Sequence, residues 1–260
     1  MGTDLFGREY NGPPFELFSA GHLLPLVAIA AICLLIALLV PRLSPRASQL
    51  MGWGLAGFAL ANSLAWDLWQ RANGLWSPAY SLPFHLCTFA VPFAALTLLT
   101  RSYRLYEVLY FWGFAGVTQA LLTPDLTTSG YNFPHFVYWI FWTSHGVILW
   151  AAVFAAAAWG YRPSWGSVGR AFIATNVYML FVGLVNWLTG GNYMFIARKP
   201  AFPSLLDLLG PWPWYILVLE LIGVLAFVLV YLPYAIGDWK KGQRAGDGGR
   251  GRREQLSAGQ

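Results

Sequence analysis

Few side chains in this chain could make or break a covalent bond. There are two cysteines, Cys33 and Cys87, and four histidines, His22, His85, His135 and His145. The thiolate is the reactive form of cysteine, and apolar surroundings disfavour it, so a buried cysteine reacts only beside a base. Cys87 closes the stretch Ser-Leu-Pro-Phe-His-Leu-Cys, two residues after His85. Residues i and i+2 of a regular helix diverge by about 200°, so His85 and Cys87 face apart. His145, in Trp-Thr-Ser-His-Gly, is the better base, because it comes from another segment. Gly146 beside it lets a neighbouring helix or a lipid chain come close. The plain alternative for Cys87 is a small packed hydrophobe, which is what most buried cysteines are.

Other chemistries fit less well. A retinal Schiff base needs a lysine inside an apolar span, and no span contains one. Quinone-linked disulfide chemistry would use Cys-x-x-Cys, which is absent, and two cysteines make neither a disulfide framework nor a Cys-rich metal site. A zinc-dependent intramembrane hydrolase built from His85, His145 and Asp67 stays open. No His-x-x-x-His pair supports it, and His135 and His145, ten residues apart, diverge by about 80°. A receptor or small-solute permease, with Glu220 and Asp67 in its binding cavity, is the alternative from another class. No metal and no cofactor are expected.

The elements that must position these groups follow from composition. The chain has 260 residues, 57% of them hydrophobic and 10% charged, with 14 Trp, 18 Phe and 13 Tyr. A soluble domain is roughly a quarter charged, so its solvent here is a bilayer. A spanning helix needs about 20 mostly apolar residues. Seven windows qualify: Leu23–Val40, Leu50–Trp69, Leu82–Thr100, Leu105–Leu122, Phe136–Trp159, Val168–Leu188 and Trp214–Ile236. The expected fold is a single seven-helix transmembrane bundle over residues 1–236. The basic tail, 237–260, is Gly- and charge-rich and is expected to be disordered. The first span has an acidic flank and no cleavage site, so it is not a signal peptide. With the N-terminus outside, 12 of the 16 Lys and Arg fall on the cytoplasmic side. The basic charge therefore reflects cell-membrane topology and not nucleic-acid binding, and the expected partners are membrane lipids.

On that topology Cys87, His85, His135, His145, Asp67, Asn186 and Glu220 lie at the midplane or toward the exterior, whereas Glu107 and Asn176 lie toward the cytoplasm. Ionisable groups at membrane depth are costly, so a cluster of them reads as one outward-opening pocket. The loop Thr189–Pro213 is aromatic, apolar and hinged by Gly and Pro, and is expected to fold over the bundle mouth as a lid. Within it, Arg198 and Lys199 could hold a phosphate or carboxylate. Asp125, Asp207 and Asn192 would hold the exterior loops in place.

The sequence also resembles a known family. The segments that carry the likeness are Leu82-Pro83-Phe84-His85-Leu86-Cys87, Tyr106-Glu107-Val108-Leu109-Tyr110-Phe111, Gln119 to Leu126, Phe133-Pro134-His135-Phe136, Asn192 to Phe195 running into Arg198-Lys199-Pro200, and Leu206-Asp207 followed by Gly210-Pro211-Trp212-Pro213. Over about Phe15 to Pro233 it is similar to the YwaF-type (TP-0381-like) bacterial integral membrane proteins. These are distantly similar to eukaryotic transmembrane protein 164, described as a phospholipid acyltransferase that uses a membrane-embedded Cys and His through a thioester. The resemblance implies lipid acyl transfer, with Cys87 holding the acyl group and His145 as general base and then acid. His85, His135, Asp67, Asn192, Arg198, Lys199 and Glu220 would line the substrate pocket.

Overall fold

The computed structural model describes residues 4–200 and 204–257, and among them every regular element is helical. Besides three short 3-10 turns, these are in chain order α1 (Ala20–Leu39), α2 (Pro45–Ala72), α3 (Leu86–Thr100), α4 (Tyr103–Phe111), a π-helical segment (Trp112–Val117), α5 (Thr118–Leu122), the short α6 (Leu126–Ser129), α7 (Phe136–Trp159), α8 (Trp165–Thr189) and α9 (Trp214–Ser257). Four stretches are long and apolar enough to cross a membrane: Ala20–Arg42, Phe136–Trp159, Trp165–Thr189 and Trp214–Lys240.

Local chemistry sets the helix ends. Ser44 accepts from the Ala47 amide at 3.3 Å, with Pro45 in the first turn of α2. Ser164 and Ser167 form a reciprocal capping box at the start of α8, and Gly160 and Gly190 close α7 and α8 in the left-handed conformation. Two boundaries depart from hydropathy. α3 starts at Leu86, four residues later than its apolar window, because Leu82–His85 is tied elsewhere: Tyr193 Oη accepts from the Leu82 amide at 3.0 Å and Tyr178 Oη donates to the Phe84 carbonyl at 3.1 Å. At the other end of the chain, α9 runs past Ile236 to Ser257, through the basic stretch expected to be disordered. A helix already nucleated by apolar turns gains a hydrogen bond with each added residue.

α7 is the central helix. Of its spanning window 56% is buried, against 17% for α1. Gly146 brings α1 close to α7, since a Cβ there would stand 3.2 Å from Ile29. Pro25 inside α1 has no amide hydrogen, so the Gly21 carbonyl loses its intrahelical partner. The Tyr138 hydroxyl of α7 fills that vacancy at 2.8 Å.

The two ends of the bundle differ. One gathers the N-terminal strap, the 73–85 and 123–135 connections and the Tyr193 turn, joined by Trp69 to Phe6, His135 to Gly7 and Tyr193 to Pro78. The other gathers Arg101, Arg104, Arg162 and Arg170, joined by Tyr103 to Arg162 and by Tyr161 to Arg101. These are called the loop-rich and basic ends below.

Candidate functional site

Cys87 is the second residue of α3, at the loop-rich end, and its thiol is free and partly accessible. The N-cap residue His85 makes no side-chain cap. The His85 carbonyl accepts from Phe89, but among the described residues the amides of Cys87 and Thr88 have no acceptor. Open first-turn amides carry the positive end of the helix dipole and favour an anion beside them. The sulfur thus sits where a thiolate, or the oxyanion of an adduct on it, meets backbone donors. A helix drawn from Leu82 placed Cys87 mid-turn and hid this feature.

His145 lies in α7 with its Nδ1–H donating to the Phe141 carbonyl at 2.7 Å. A carbonyl only accepts, so Nδ1 carries the proton and Nε2 keeps its lone pair. The Phe141 ring lies 4.3 Å from the imidazole, centroid to centroid. The ring is therefore oriented and left with one basic nitrogen.

Asp125 joins the two. It ends the turn after α5, and its carbonyl accepts from Thr128 and Ser129 at 2.9 Å, which starts α6. Its carboxylate makes no side-chain hydrogen bond among the described residues and interacts electrostatically with both Cys87 and His145. Loss of water contact pushes its carboxyl above the ordinary aspartate value, while His145 pulls it the other way. Cys87 and His145 are half-buried and Asp125 is exposed. Among the described residues no hydrogen bond joins Cys87 to an imidazole, so the resting arrangement is loose. The sequence assigned Asp125 only to loop support. The available signal was an acidic residue three positions beyond a span, on the side where Cys87 enters.

Of the other expected site residues, all but Arg198 have a partner of their own. His85 accepts from the Met194 amide through Nδ1 at 3.2 Å, under the Tyr193 and Phe195 rings. His135 is fully buried, accepting from Val137 at 3.1 Å and donating to Gly7 at 3.0 Å, so both nitrogens hold backbone. Asp67 pairs with Arg71 at 2.7 Å and accepts from Trp76 at 2.8 Å. Glu220 accepts from Asn176 at 2.8 Å, across α8 and α9. Asn192 binds the backbone of Ala197 and Arg198, and Lys199 lies 3.9 Å from Asp207. Arg198 is exposed, and its guanidinium has no hydrogen bond or ion pair among the described residues. Of the donors that the zinc reading would use, His85 and Asp67 are committed separately, and no group of three His, Cys, Asp or Glu side chains among the described residues could hold a metal ion.

The lid is half realised. Tyr193 is fully buried, its backbone held by both ends of the Asn186 amide at 2.7 and 3.0 Å. Phe195 is partly covered, but Trp212 and Trp214 are 57% and 64% exposed. Amphipathic rings at that level suit the membrane–water interface, so only the first part of the loop covers the bundle. Residues 201–203 lie outside the described residues.

Residues 17–231 match the family model of the TMEM164 family. The chain belongs to that family. It is therefore a multi-pass membrane protein, in keeping with its four spanning helices. An uncharacterized protein of Treponema pallidum (strain Nichols) is 29% identical over 155 residues, 59% of this chain and 62% of that relative. The match thus spans less than two thirds of the relative. No solved structure matches the chain. All three residues of the trio fall inside the segment matched to the TMEM164 family.

Proposed function

We propose that the chain transfers acyl groups between membrane lipids through a thioester on Cys87. The observation that carries this reading is His145, held by the Phe141 carbonyl with Nε2 left basic, in electrostatic reach of Asp125, which also reaches Cys87. In the first half-reaction His145 Nε2 takes the thiol proton as sulfur attacks the ester carbonyl of a phospholipid. The oxyanion forms beside the open Cys87 and Thr88 amides. Asp125 stabilises the imidazolium. Collapse breaks the carbon–oxygen ester bond, and the imidazolium gives its proton to the departing lysolipid oxygen. In the second half-reaction an acceptor hydroxyl gives His145 its proton and attacks the thioester, and the sulfur leaves and is reprotonated.

The topology proposed with it has seven crossings, α4 through α5 counting as one, with the N-terminus outside and the C-terminus cytoplasmic. The clustering of arginines at the basic end supports this orientation in the cell membrane. Substrate would then enter from the outer leaflet, with Arg198 at its headgroup phosphate. His85 and Asn192 act as positioning residues for the 194–198 turn.

The test uses purified protein and a phospholipid with a labelled acyl chain. Label should reach the Cys87 peptide, be released by neutral hydroxylamine, and persist in Cys33→Ser. It should vanish in Cys87→Ser and His145→Ala. Label of equal amount in Cys87→Ser would overturn the proposal.

A further inference from the structure

A cavity of about 420 Å³ opens at the basic end, away from Cys87. It lies between the Pro41–Pro45 turn, the first turns of α2 and the ends of α3 and α7. Ser48, Gln49, Trp53, Trp159 and Arg101 are among its walls, and none of its lining residues is acidic. Arg42 and Arg46 flank lining positions in the same turn. Among the described residues, two acidic groups of this end are already paired: Glu107 is held by Arg170, Ser167 and Arg104, and Asp238 by Arg162.

Arg101 is the informative residue. It ends α3 with φ at +52°, a left-handed conformation in which glycine is the favoured residue. Its carbonyl accepts from Tyr161 Oη, which fixes the turn. Its guanidinium is exposed and has no partner among the described residues. A backbone that favours glycine therefore carries a long cationic side chain with no hydrogen bond or ion pair among the described residues. Strain retained in this way fits a group held for a ligand.

We infer that this cavity binds the phosphate of an anionic phospholipid of the leaflet at the basic end. The guanidinium supplies a planar donor pair for phosphate. Ser48 and Gln49 supply further polar side chains at the same wall. Trp53 is half exposed beside them, at the level where tryptophan meets headgroups. The lipid is preferred over a free phosphate ion because the walls also offer Leu43, Leu98 and Phe154 to glycerol and upper acyl carbons. This site stands apart from the acyl-transfer reading, since no residue of the trio lines it.

The experiment extracts the full chain from vesicles of equimolar phosphatidylglycerol and phosphatidylcholine and counts retained lipids by native mass spectrometry. Wild type should retain phosphatidylglycerol in preference. Arg101→Gly should lower its retention about fivefold, the effect of one interfacial arginine. The glycine variant suits its backbone, so its thermal midpoint should not fall. Arg101→Lys should keep part of the preference. Retention unchanged in Arg101→Gly, or no preference in wild type, overturns the inference. Displacement of the lipid by millimolar inorganic phosphate would make it an ion site and overturn the assignment to lipid.

Discussion

Two polar clusters sit at opposite ends of the bundle, and they treat their valences in opposite ways. Glu107 is fully buried and saturated: Ser167 Oγ donates to it at 2.5 Å, Arg170 Nε at 2.9 Å and Arg104 at 3.3 Å. Nothing is left over for a ligand. At the loop-rich end, among the described residues, His145 keeps a bare nitrogen, Cys87 a bare thiol beside open amides, and Asp125 a carboxylate with no side-chain hydrogen-bond partner. Burial and charge alone would have ranked Glu107 first. Unfilled hydrogen-bonding capacity with remaining access separates a reactive cluster from a structural one.

The sharpest test of that contrast is removal of the nucleophile or the base. Cys87→Ser or His145→Ala should lower acyl transfer by about 10³-fold or more, with the two losses not adding in the double variant. Unfolding temperature should change little in either. An additive double variant would mean that the two residues do not act together.

Glu107→Gln should do the reverse. It leaves Arg170 short of its counter-charge, and breaking a buried pair costs about 3–5 kcal/mol, less here because the arginine is half exposed. Denaturation in detergent should show a loss of about 2–3 kcal/mol with the per-molecule transfer rate retained. A silent rate-dead Glu107→Gln would place chemistry at the basic end.

Asp125 should give an intermediate effect. Asp125→Asn should slow transfer about tenfold, because the imidazolium loses a favourable charge. The sign of its pH dependence follows from the partial loss of water around its carboxyl. The carboxyl titrates above its unfolded value, so the stability it confers is full below the ordinary aspartate range and declines as pH rises through the raised value. Chemical denaturation of wild type and Asp125→Asn across acidic pH should converge at the low end and separate above it, with the variant the less pH-sensitive.

The smallest expected change belongs to neither cluster. Tyr138→Phe removes one interhelical hydrogen bond and should cost about 0.6–1 kcal/mol without altering transfer, a baseline for the other variants.

Hydropathy made much of this fold readable. The Phe136–Trp159 window coincides with α7, because a continuous apolar run has one economical conformation in a bilayer. It misjudged the start of α3, because what stops that helix is a tyrosine 111 residues away, and hydropathy carries no long-range partner. Residue type singled out Cys87 and His145. It ranked His135, Asp67 and Glu220 with them, since a titratable side chain in sequence does not reveal whether a backbone amide or an arginine already occupies it. The free Nε2 of His145 was equally hidden, being set by the carbonyl one turn earlier.

The hydroxyl of Tyr138 on the Gly21 carbonyl has a consequence in the order of assembly. The bond joins residues 117 apart in sequence, so the ribosome delivers α1 well before its partner exists. Until then the carbonyl that Pro25 leaves open must be met by water or a headgroup near the membrane surface. The first span made is therefore among the last to be locked, and its final seat awaits the emergence of α7.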